Sequence, residues 1–169
     1  MESSKLSFEK PIKYSDEWFM SLALKEAVKA YAKNEVPIGA VIVKDGKIIS
    51  RAHNEREIKQ DSTLHAEISA IRKACHKTGY WRLNDCDMYV TLEPCPMCAG
   101  AIIQSRIRKL YIGAFDPKAG AAGSVIDLFG IEKFNHKVEV HCGILQSECS
   151  DILKDFFKKL RNFKKSTQF

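Results

Sequence analysis

The tightest constraint on this chain is a pair of short motifs, "HAE" at residues 65–67 and "PCPMC" at 94–98, with one apolar strand between them. Each opens a predicted helix. Cys95 and Cys98 are three apart, so they share a helix face and can grip one ion. His65 and Glu67 are two apart, and on a continuous helix they point to opposite sides. They serve one site only if His65 lies at the very start of its helix, with the shared point beyond the helix end. The fold must therefore bring two helix N-termini together at an edge of the sheet, where open α/β folds commonly build ligand sites.

The rest of the pattern supplies such a sheet. Residues 16–33, "DEWFMSLALKEAVKAYAK", place Phe19, Leu22, Ala23, Ala27, Ala30 and Tyr31 at helical spacing, with Asp16 and Glu17 at the positive end of the dipole. "IGAVIV" and "IISRAHN" read as strands joined by a tight Asp45–Gly46 turn. "LHAEISAIRKACHKTG" reads as a helix closed by Gly79, "DMYVTLE" as a strand, and "PMCAGAIIQS" as a helix opened by Pro96. "KLYIGA" is a fourth strand, followed by the Gly- and Ala-rich loop "FDPKAGAAGS" and a fifth strand in "HKVEVHC". An amphipathic helix from about Ser147 carries Ile152, Leu153, Phe156, Phe157 and Leu160 as its apolar stripe. The expected fold is α/β: a three-layer α/β/α sandwich on a mixed five-stranded sheet, with parallel neighbours after the hairpin.

A chain of 169 residues supports one domain, residues 1–169, with 1–13 as an N-terminal extension and 162–169 as a frayed basic tail. The opening segment has no continuous apolar region, no run approaches membrane-spanning length, and the six cysteines do not form a small disulfide framework. A reduced, cytoplasmic compartment is the economical expectation. The net charge of +6 favours contact with a polyanion without requiring it. In the closing helix Lys158, Lys159 and Arg161 read equally as phosphate contacts or as a solvated face.

Alone, H-x-E is usually a histidine beside a solvated glutamate, and C-x-x-C is as often a redox dithiol as a metal site. Together, His65, Cys95 and Cys98 form a donor set suited to tetrahedral Zn2+, leaving one position for water. Glu67 is then the candidate proton carrier. That combination is the signature of zinc-dependent nucleobase deaminases. Two rivals stay open. A non-catalytic zinc RNA-binding protein would close the site with a fourth ligand, Cys86 or Cys142. A thioredoxin-like role would leave His65 and Glu67 unexplained. Cys75, Cys86, Cys142 and Cys149 are most simply buried or partly buried free thiols.

With "EVPIGAVIV", "HNE", "HAEISAIRKA", "TLEPCPMCAGAIIQSRI" and "YIGAFDPKAGAAGS", nearly the whole chain resembles the bacterial tRNA adenosine deaminases of the cytidine deaminase superfamily. "PCPMC" also occurs in guanine deaminases, which makes a free-base or nucleoside deaminase the nearest alternative. The resemblance implies a cytidine-deaminase-like fold, one catalytic Zn2+ per subunit, a homodimer, and a tRNA anticodon stem-loop as substrate, its wobble adenosine converted to inosine. It matches His65, Cys95 and Cys98 with the metal ligands and Glu67 with the proton shuttle. Asn54 matches the residue that hydrogen-bonds the base. Val36, Pro37 and Ala66 match other substrate-binding positions, and Asp116 an aspartate near the RNA. Two departures, His53 before Asn54 and "DSTLHAE" before the metal histidine, touch no catalytic group.

Overall fold

The Asp45–Gly46 turn closes as its residues require. Both have positive φ, 49° and 70°, so the two-residue loop follows the right-handed twist of the strands it joins. The structure is a computed structural model and describes residues 11–166. The turn links β1 (Gly39–Lys44) to β2 (Lys47–His53) in an antiparallel pair. The other strands are β3 (Cys86–Leu92), β4 (Lys109–Ala114) and β5 (Glu139–Cys142). The sheet order is β2-β1-β3-β4-β5. β1 runs antiparallel to β3, and β3, β4 and β5 are parallel.

Side-chain alternation along these strands feeds two cores. Ala40 and Ile42 of β1, Met88 and Val90 of β3, and Leu110 and Ile112 of β4 face one layer. There they meet α3 (Ala66–Thr78) and α4 (Pro96–Gln104). The intervening Val41, Val43, Tyr89 and Tyr111 belong to the opposite core, with Phe19, Met20 and Ala23 of α1 (Asp16–Ala32) and Cys149 of α5 (Gln146–Ser166). Period-two burial on both faces is what a central sheet strand must show. The expected three-layer sandwich is therefore the observed one.

Ser15 caps α1 by accepting from the Trp18 N–H, and Gly79 ends α3 in the left-handed conformation. At Gly39, α1 lies against the strand so closely that a Cβ would overlap the Ala23 carbonyl oxygen and come within 2.6 Å of the Ala27 nitrogen. Both are backbone atoms that cannot step aside. Gly39→Ala is expected to cost about 3 kcal/mol or more, read as a lower urea midpoint with an unchanged slope.

Four details differ from the sequence expectation. A short helix, α2 (Arg56–Lys59), follows β2; four residues carry no periodicity to find. β5 covers only Glu139–Cys142 of the expected "HKVEVHC". Cys142 is exposed rather than buried. α5 runs unbroken to Ser166, through most of the segment expected as a frayed tail; residues 167–169, and 1–10 of the expected extension, lie outside the described residues. Among the described residues no helix is long and apolar enough to cross a membrane.

Candidate metal centre

His65 is the N-cap of α3 and Cys95 the N-cap of α4, each in extended backbone conformation with its carbonyl accepting the first helical hydrogen bond. Neither side chain caps its own helix, so both are free for other work. His65 lies outside the helix proper, and this resolves the conflict between positions 65 and 67. One turn into α4, Cys98 is fully buried. The loop leading to His65 is pinned by Asp61, whose carboxylate accepts from the Thr63 N–H and hydroxyl at 2.8 and 2.7 Å.

His65 Nδ1 lies 3.7 Å from Cys95 Sγ and 3.5 Å from Cys98 Sγ, and all three donor atoms fall within 4.8 Å of one another. Zinc bonded to sulfur and nitrogen at tetrahedral angles would set an S···N separation of about 3.6 Å. The donor set fits an ion without rearrangement. Among the described residues this is the one cluster of three or more such ligands, and no fourth His, Cys, Asp or Glu joins it. Cys86 lies at the far end of β3, so it cannot close the site.

The electrostatics suit a cation. The hydrogen bond from Cys98, with that from His65, holds the Cys95 thiol down to about 4 against the burial that would raise it. The Cys98 thiol is raised, first by Cys95 beside it and then by burial. The bond to Cys95 raises His65. These groups share protons that a metal ion would displace.

Glu67 is 3% exposed, and its Oε2 is buried with no hydrogen-bond partner. Burial pushes its carboxyl up to about 7. An orphaned carboxylate oxygen beside an open ligand cluster is a costly feature that folding alone does not explain. In metal-free protein the unfolded carboxyl ionises near 4.5 while burial holds the folded one higher, so the folded state loses stability relative to the unfolded as pH rises from about 4.5 to about 7. Glu67→Gln removes that loss. Chelator-treated variant should melt above chelator-treated parent at pH 8, with the two nearly coincident at pH 4.

The cluster opens into a cavity of about 670 Å³ whose walls include Val36, Ile38, Asn54, Arg56, His65 and Leu92 on one side. Phe115, Asp116, Pro117 and Lys118 of the loop after β4, and Leu153, Lys154, Phe157 and Arg161 of α5, complete it. Asn54 is held on two sides: its N–H donates to the Ile38 carbonyl at 3.1 Å, and its Nδ2 to Glu35 Oε2 at 3.2 Å. Glu35 is wholly buried, and its other oxygen accepts from the Ile58 N–H at 2.7 Å, tying α2 to the same anchor.

Of the sequence-derived substrate residues, Val36, Asn54 and Asp116 line the cavity. Pro37 and Ala66 are buried and do not; Ile38 takes the place expected of Pro37. Asp116 also braces its own loop, accepting from the N–H groups of Lys118 and Ala119 at 2.9 and 3.2 Å. Arg161 reaches the cavity, whereas Lys158 and Lys159 do not. Lys159 instead pairs with Asp155 at 3.1 Å and sits over the Tyr31 ring. Phe157, expected in the core, is 40% exposed on the cavity wall, while its neighbour Phe156 packs edge-on against Tyr31. His53 lies off the cavity, bridging Glu26 and Lys33 at 3.1 and 2.9 Å. Glu35 escapes a reading of the sequence because a lone glutamate in an apolar run looks solvated until its partners are known.

The chain matches the MafB19-like deaminase family over residues 14–161. A tRNA-specific adenosine deaminase of Bacillus subtilis (strain 168) is 53% identical over 153 residues, covering 90% of this chain and 95% of that protein. A solved structure from studies of A-to-I editing by tRNA:A34 deaminases at the wobble position of transfer RNA is 50% identical with a TM-score of 0.77, over 80% of this chain and 98% of that one. The structure of a guanine deaminase of Bacillus subtilis is more distant, 36% identical with a TM-score of 0.60 over 88% and 94% of the two chains. The matched span takes in both helix starts and every wall of the cavity, and the chain belongs to the tRNA-specific adenosine deaminase family.

Proposed function

We propose that the chain is a zinc-dependent hydrolase that converts the wobble adenosine of a tRNA anticodon to inosine, releasing ammonia. The observation that carries this reading is the convergence of His65, Cys95 and Cys98 beside a buried Glu67 carboxylate oxygen that has no partner. The 53% identity to a tRNA-specific adenosine deaminase, against 36% to a guanine deaminase from the same species, supports the choice of substrate.

His65, Cys95 and Cys98 would hold Zn2+, which as a Lewis acid makes water a nucleophile near neutral pH. Glu67 takes a proton from the attacking water and delivers it to N1 of the adenine as C6 is attacked. It then takes the remaining proton from the oxygen added at C6 and passes it to the departing amino group, so that adenosine and water become inosine and ammonia. Its burial suits the task, because desolvation raises the proton affinity of a carboxyl that must take a proton from water and hand it on. Asn54, its amide orientation fixed by Glu35, holds the base against Val36 and Ile38. The target atom is out of reach in a duplex, so an anticodon loop with unstacked bases is the fitting substrate.

Lys118, Lys154 and Arg161 on the cavity rim are placed for the loop phosphates, a contact that weakens with salt. A cytoplasmic homodimer completes the proposal. The exposed apolar side chains Val125, Ile126, Ile131 and Phe134 between β4 and β5 support the dimer. The test is incubation with a synthetic anticodon stem-loop bearing adenosine at the wobble position. Inosine should form there, and not from free adenosine, adenine or guanine; turnover of guanine alone would overturn the substrate assignment.

A further inference from the structure

Glu93 takes no part in the deamination chemistry, yet it is 2% exposed and its two oxygens accept hydrogen bonds from four donors. Oε2 accepts from the Asp116 N–H at 2.9 Å and from the Ser124 hydroxyl. Oε1 accepts from the N–H groups of Ala122 at 2.9 Å and Ser124 at 3.1 Å. All four donors belong to the loop after β4. That loop has no strand partner beyond one bridge between Ala122 and Asp127, so these N–H groups have no sheet ladder to satisfy them. The carboxylate fills a nest of backbone donors, the arrangement that elsewhere binds an external anion.

Neighbouring atoms brace the same joint. The Ala121 N–H donates to the Pro94 carbonyl at 2.8 Å, and the Glu93 N–H to the Ala114 carbonyl at 2.8 Å. At position 120 a Cβ would overlap the Glu93 carboxyl and lie 2.6 Å from the Asp116 carbonyl oxygen, so only glycine lets the loop wrap this closely. The hydrogen bonds outweigh burial and keep the carboxyl below its usual range. Glu93 thus joins the strand end that leads into Cys95 to the loop whose Phe115, Asp116, Pro117 and Lys118 wall the cavity.

We propose that Glu93 is a positioning residue for substrate capture: through its four hydrogen bonds it fixes the 115–124 loop as the cavity wall, and does so without touching substrate. This rests on the reading of the cavity as the seat of the flipped adenosine. Loss of the carboxylate frees the wall while leaving His65, Cys95, Cys98 and Glu67 in place. Binding of the RNA loop then falls while the chemical step on bound substrate persists.

The experiment measures inosine formation from the wobble-adenosine stem-loop by zinc-loaded parent, Glu93→Ala, Glu93→Gln and Ser124→Ala, with zinc content and amide hydrogen exchange for each. Glu93→Ala should raise KM by about tenfold or more with kcat within about threefold, the pattern of lost binding. Glu93→Gln, which keeps an acceptor oxygen, should recover part of that loss. Ser124→Ala removes one of the four bonds on an exposed residue and gives a smaller rise in the same direction, which keeps the test decisive if Glu93→Ala folds poorly. Exchange at the amides of Asp116, Ala122 and Ser124 should quicken in the Glu93 variants while α3 and α4 stay protected. An unchanged KM with quickened loop exchange, or a fall in kcat with KM unchanged, overturns the proposal. Failure of the parent to form inosine would instead bring down the reading of the cavity, and the exchange data would still report whether Glu93 holds the loop.

Discussion

Replacing Glu67 with alanine lowers the rate of inosine formation by about 10²–10⁴-fold or more, with zinc content unchanged. Three observations fix the direction. Glu67 is not among the three residues whose donor atoms cluster, so its loss leaves the ligand set whole. Its carboxylate oxygen has no partner within the fold, so removal breaks no structural hydrogen bond at that atom. Burial raises the proton affinity of its carboxyl, which suits a group that must accept and donate in one cycle. The deficit belongs in kcat with KM little changed, since Asn54 and the cavity walls proposed to hold the base stay intact. Single-turnover assays with zinc measured on the same sample test it. Inosine formation at the parent rate would remove Glu67 from the mechanism.

Cys98→Ala is expected to abolish zinc binding and turnover together. Cys98 is fully buried and supplies one of three donors, and the remaining imidazole and thiolate make a two-point grip. Cys86→Ser and Cys142→Ser are the controls. Cys86 begins β3, about 20 Å of strand away from the Leu92 end that lines the cavity, and Cys142 is exposed on β5. Both should retain one zinc per chain and normal turnover. Zinc loss in either control would favour a closed four-ligand structural site over a catalytic one. Full activity of Cys98→Ala after exhaustive chelation would sink the metal assignment altogether.

The sandwich was legible because its cues are local. Alternation in β1, β3 and β4, the Asp45–Gly46 turn, the Pro96 helix start and the Gly79 cap each act within a few residues. α2 was not legible, since four residues show no period and the bond that ties it down runs from the Ile58 N–H to a distant acceptor, Glu35. The same reason hid the fate of the closing helix. Phe156 and Phe157 share one apolar stripe in sequence, but successive helical residues point about 100° apart, and the packing of α5 puts one against Tyr31 and the other on the cavity wall. Lys159 likewise reads as a free cation until Asp155 and Tyr31 are seen beside it.

The metal group shows where the division falls. Residue chemistry and spacing alone required His65 to stand at a helix start if the two motifs share a site, and named the candidate donors and the candidate proton carrier, because ligand type and helical geometry are local properties. Only the tertiary structure decided that the three donor atoms meet with room for one ion, that Glu67 is left without a partner, and that Glu35 and Glu93 are buried anchors for Asn54 and the cavity wall. A carboxylate's role depends on which donors surround it, and those donors come from segments about twenty to thirty residues away, brought there by the packing of the sheet and not by any pattern along the chain.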